Sequence, residues 1–84
     1  MNDKRRKFLE KVNTRLEQAK SLLEDCMGDA ETAKDEEQES LDNLPESMQQ
    51  SEKGKAMEEV IDTLDEAINN IESAIENINS AIGG

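Results

Sequence analysis

Val60-Ile61-Asp62-Thr63-Leu64-Asp65-Glu66, Ala67-Ile68-Asn69-Asn70-Ile71-Glu72-Ser73, Ala74-Ile75-Glu76-Asn77-Ile78-Asn79-Ser80, Ala81-Ile82: the last third of this chain is a heptad repeat. Ile61, Leu64, Ile68, Ile71, Ile75, Ile78 and Ile82 follow alternating spacings of three and four, which is the seam of a helix packed on by other helices. Val60, Ala67, Ala74 and Ala81 each precede a seam isoleucine, so three of every seven positions are apolar. A stripe that wide is a bundle face rather than a two-stranded seam.

Working back from this helix, Gly83-Gly84 ends it, and Ser47 and Ser51 are both N-cap candidates near its start, with Gln50 in the capping-box position after Ser47. Asp42-Asn43-Leu44-Pro45 is a stop signal, because proline disfavours α conformation in the residue before it and has no N–H for the helical ladder. Upstream, Leu9, Val12, Leu16, Ala19, Leu23, Cys26, Ala30 and Ala33 repeat the same spacing, with Phe8, Leu22 and Met27 widening the stripe. The stripe keeps its phase across Gly28, so the spacing predicts one continuous helix there. Leu41 and Leu44 fall outside this phase. Glu37 stays inside it and is expected opposite Met57.

The prediction is therefore an all-α fold: an antiparallel helical hairpin of two long helices, about 3–42 and 51–82, in one domain covering 1–84. The connection is 43–51, with room for a helical turn after Pro45. A connection this short forces the helices to fold back on one another. Ala33 should then lie near Ile61, Ala30 near Leu64, Leu23 near Ile71 and Leu16 near Ile78, leaving Phe8 and Leu9 projecting beyond Ile82. A hairpin alone leaves part of the wide stripe wet, so the hairpins are expected to self-associate into a homodimer or higher bundle. The core and oligomer interface would comprise Leu9, Val12, Leu16 and Leu23 together with the seven seam residues from Ile61 to Ile82.

Composition agrees. The 84 residues include one aromatic side chain, Phe8, and no Trp, Tyr or His. A chain of this size draws only about 3–5 kcal/mol from a private core, which again points to help from another subunit. The net charge of −11 is segregated: residues 1–20 hold seven bases and three acids, whereas residues 21–84 hold three lysines and eighteen acids. Asp62, Asp65, Glu66, Glu72 and Glu76 form the acidic surface expected to bind a partner, and a basic host protein is the kind of partner it would attract. Lys4, Arg5, Arg6 and Lys7 form a basic N-terminal patch. With no aromatic residue but Phe8 to stack on bases, that patch is expected to pair with acidic protein surface rather than nucleic acid.

Catalysis is not expected. The lack of histidine closes Ser-His and Cys-His nucleophilic pairs and His-containing zinc sites. The carboxylates lack the spacing of a calcium loop, so neither metal nor cofactor is expected. Cys26 reads as a small apolar filler of the core. It cannot form an internal disulfide, which favours a reducing, cytoplasmic setting. The chain start has no apolar segment of signal-peptide type, and no stretch approaches the roughly 20 apolar residues of a membrane span.

Glu36-Glu37-Gln38-Glu39-Ser40-Leu41-Asp42-Asn43-Leu44-Pro45-Glu46-Ser47-Met48-Gln49-Gln50-Ser51-Glu52-Lys53, followed by the acidic heptad helix, resembles small acidic helical-hairpin proteins of Gram-positive bacterial phages and mobile elements. The resemblance covers 36–82, is most specific at Asn43-Leu44-Pro45-Glu46, and implies an accessory protein acting in the host cytoplasm. It brings no functional residues with it. The expected function is non-enzymatic protein binding, including inhibition of a host nucleic-acid-binding or defence protein by an acidic rod that imitates DNA. The alternative is a structural, scaffold-like assembly protein. A secreted hairpin partner of the Trp-x-Gly type is disfavoured by the absence of tryptophan.

Overall fold

The computed structural model of the chain describes residues 2–83. Three helices follow in order: α1 from Asp3 to Asp42, α2 from Glu46 to Gln49 and α3 from Glu52 to Gly83, with no strand among the described residues. Asn2 caps α1: its side-chain oxygen accepts from the Arg5 backbone N–H at 2.8 Å, and Asp3 places a carboxylate on the positive end of the helix dipole. α1 runs unbroken through Gly28. It ends at Asn43, whose N–H still donates to the Glu39 carbonyl at 3.0 Å, and Leu44 then closes a tighter turn on Leu41.

Pro45 stands at the start of α2, where its missing N–H costs nothing. Ser51 is the serine that opens α3: its carbonyl accepts from the Lys55 N–H at 3.0 Å, and its hydroxyl oxygen lies 3.5 Å from the Gly54 N–H. Ser47 lies inside α2 instead.

α1 and α3 pack along one another, and α2 packs on α3. The molecule measures 67 × 15 × 14 Å with a radius of gyration of 19.3 Å, against about 12 Å for a compact domain of this length. A rod one layer thick buries little. Among the described hydrophobic side chains only Leu41, Ile61 and Ile68 fall to 8% exposure or less, and none is sealed completely. The accessible surface of 6543 Å² exceeds that of an average folded monomer of this mass by about 1,500 Å².

On α3 the inward residues are those of the heptad seam: Ile61 and Ile68 are buried, and Leu64, Ile71, Ile75, Ile78 and Ile82 are half-buried. On α1 the seam departs from the expected phase. Leu16, Leu23 and Ala30 do face inward, but between them come Lys20 and Met27, and beyond them Lys34, Glu37, Leu41 and Leu44. Ala19, Cys26 and Ala33 are exposed. Cys26 is therefore not a core filler, and Leu41, outside the expected stripe, is the most buried residue of α1.

Apolar size explains the choice. The observed phase turns Met27 and Leu41 inward in place of Cys26 and Ser40, which removes more apolar area from water. Lys20 and Lys34 are half-buried on this side of α1, and the Lys34 ammonium reaches Asp65 at the edge of the seam. An ion pair sets Lys34, rather than Ala30, beside the Leu64–Asp65 turn, about one helical turn from the expected pairing. The connection accounts for this displacement. α2 lies against α3, so the Glu46–Gln49 turn belongs to the packed body rather than to a free loop.

Gly54 makes that packing possible. It is buried, and a Cβ at this position would overlap the Gln49 backbone. The Gln49 side chain completes the junction by donating to the Leu44 carbonyl at 3.0 Å.

Candidate functional site

Each long helix carries two unlike flanks beside its seam. On one side stand the residues that immediately precede Asn13, Lys20, Met27 and Lys34 on α1, namely Val12, Ala19, Cys26 and Ala33. On α3 the equivalent residues are Val60, Ala67, Ala74 and Ala81, which precede the seam isoleucines. Most of these are exposed, with Val12 and Ala74 half-buried. Leu22 extends the α1 flank outward at 70% exposure, and Phe8 extends it toward the chain start at 64%. Ala56, Glu59, Val60, Thr63 and Leu64 line a shallow open groove on α3. A second groove, between Asn2, Lys4, Arg5 and Phe8, joins the basic patch to the exposed aromatic ring.

The other flank is made by residues that follow the alternate seam positions. After Leu9, Leu16, Leu23 and Ala30 come Glu10, Glu17, Glu24 and Glu31; after Met57, Leu64 and Ile71 come Glu58, Asp65 and Glu72. One side of each helix is thus small and apolar, and the other is lined with carboxylates at heptad spacing. Seven residues span about 10.5 Å of helix, so each row repeats at roughly that distance.

Of the expected partner-binding acids, Asp62, Glu66, Glu72 and Glu76 are exposed. Asp65 differs: its carboxylate accepts from the Lys34 ammonium at 2.7 Å, in the one ion pair among the described residues. That hydrogen bond, reinforced by the charges of Asp65, Asp35 and Glu31, raises the Lys34 pKa above the ordinary lysine value against the opposing effect of desolvation. Lys4, Arg5, Arg6 and Lys7 are all exposed on the first turns of α1.

Of the interface residues expected on α1, Leu16 and Leu23 are half-buried in the seam and Val12 is half-buried on its border. Leu9 is 42% exposed. Among the described residues no group of three or more acidic or cysteine side chains is placed to hold a metal ion. No helix there is long and apolar enough to cross a membrane. Two features escaped sequence reasoning: Gly54, which reads as an ordinary first-turn residue, and the flank role of Cys26, which the competing phase conceals. Protein-family models, curated proteins and solved structures yield no match to this chain.

Proposed function

We propose that this chain is an antiparallel helical hairpin that self-associates into a bundle and acts by binding protein, without turnover. The observation that carries this reading is the division of each helix into an apolar flank and a carboxylate flank. The hairpin itself is supported by the pairing of Lys34, near the end of α1, with Asp65 on α3, and by a molecular length of 67 Å where α1 alone occupies about 60 Å. When two helices run in opposite directions, the positions that precede their seams share one side of the layer and the carboxylate rows share the other. The rod then has one face suited to a like subunit and one suited to a basic partner.

The basic partner is a host nucleic-acid-binding or defence protein, whose groove the carboxylate rows enter by the counterion-release electrostatics that DNA uses. The resemblance of residues 36–82 to phage and mobile-element proteins supports an action in a host cytoplasm. The assembly reading draws on the apolar face alone: a scaffold component needs self-association and no basic partner.

Affinity capture separates the two. Immobilised protein should retain a basic DNA-binding protein from a Gram-positive host extract, releasing it steeply as salt rises, and the variant E17Q/E24Q/E31Q/E58Q/E72Q should retain none while keeping its oligomeric mass. Capture of morphogenetic proteins alone, insensitive to salt and to the glutamine changes, would establish the assembly role instead.

A further inference from the structure

Self-association leaves open which way the second rod runs. We infer that two copies stack apolar face on apolar face with their rods in opposite directions, α1 on α1 and α3 on α3, so that the basic start of each copy lies on the acidic connection end of the other. This rests on the hairpin and self-association proposed above and adds to it the face, the pairing and the direction.

The occupant is a second copy because the chain carries both halves of the electrostatic match. Residues 1–20 are basic, and the stretch Glu31–Glu46 holds seven acids against Lys34 alone. Along the outer border of the α1 apolar flank, Phe8, Arg15, Leu22, Asp29 and Glu36 recur every seven residues, and all are exposed. With rods opposed and fully overlapped, the two-fold axis crosses α1 near Glu24. Arg15 of one copy then falls between Asp29 and Glu36 of the other. With rods running the same way, like helices cannot stack apolar face on apolar face at all, because the handedness of the two-helix layer then sets α1 of one copy over α3 of the other. That stacking is disfavoured, since it gathers the two basic N-terminal projections at one end.

Area agrees with this occupant. The surface in excess of a compact monomer, about 1,500 Å² per chain, is enough for each copy to contribute its share of a standard interface, which buries about 1,600 Å² in total. The interface itself is made by small side chains, Ala19, Cys26 and Ala33 on α1 and Ala67, Ala74 and Ala81 on α3, which let the layers approach closely. The opposed arrangement also gives the projecting start of α1 something to touch: Leu9 comes level with Val60 of the second copy.

Cysteine placement tests the direction. In a Cys26→Ala background, Phe8→Cys and Ser40→Cys lie at matching levels only when the rods oppose. An equimolar mixture of the two variants should cross-link with a short bismaleimide into a heterodimer, whereas neither variant alone should cross-link efficiently. Unmodified protein should cross-link through Cys26, close to the axis. Self-cross-linking of Phe8→Cys alone, or a dimer mass by light scattering with no heterodimer cross-link, would overturn the opposed arrangement while leaving self-association intact. A monomer mass at micromolar concentration would overturn self-association itself. Both replaced side chains are exposed, so loss of folding does not confuse the outcome, and circular dichroism of each variant verifies it.

Discussion

The two ends of the rod follow similar heptad rules and finish in different states. At the connection end, Leu41 and Ile61 are buried, α2 closes on Gly54, and Lys34 pairs with Asp65. At the start of α1, Phe8 and Leu9 remain largely in water beside a run of four basic residues. A helical stripe is thus only a capacity for burial, and a neighbouring helix at the same level converts it into stability. The connection end has that neighbour within its own chain; the start of α1 lacks it.

Substitutions at the two ends should therefore differ sharply. Ile68→Ala, at the 6% exposed site nearest full burial, should destabilise by about 2–4 kcal/mol, measured by denaturant unfolding at fixed protein concentration, whereas Leu9→Ala in the monomer should change stability little. A similar loss for both would erase the distinction between the ends. Gly54→Ala should cost about 1–3 kcal/mol, because α2 must move away from α3 to admit the methyl group. The contrasting glycine is Gly28, where an added Cβ meets nothing and the helix is continuous, so Gly28→Ala should stabilise by about 1 kcal/mol.

The smallest effect belongs to Lys34. Its raised pKa means that the ion pair contributes fully below the ordinary lysine value of about 10.4 and loses its contribution as pH climbs through the higher folded value. Thermal melts of the protein and of Lys34→Met should differ slightly at pH 8, less in high salt, and converge in strong alkali. A difference that grew with pH would contradict the geometry of the pair.

How far the fold was legible followed from residue size. On α3 every seam position from Ile61 to Ile82 is Ile or Leu, so only one phase was available and the structure uses it. On α1 two phases share Leu16, Leu23 and Ala30. The local pattern favoured Cys26 and Ala33, and the decision in favour of Met27 and Lys34 comes from Leu41, whose burial depends on α3. Gly54 carried no local signal because its constraint is a contact with Gln49 across a turn. The acidic flank could be read in outline from charge counts. Its restriction to the positions after alternate seam residues required the true α1 phase.

The closed junction of α2 with Gly54 has a kinetic consequence. Among the contacts between α1 and α3, those beside the junction, where Leu41 and Ile61 are buried, are joined by the shortest stretch of intervening chain, so they close the smallest loops between the long helices and cost the least chain entropy to form. Folding should nucleate there and zip toward the free ends, each turn of α3 docking on a turn of α1 already aligned, at the rapid rates of low contact order. Amide exchange should record the same order in reverse: protons near the junction persist longest, and those of the basic first turns, which no later event of folding secures within one chain, are lost first.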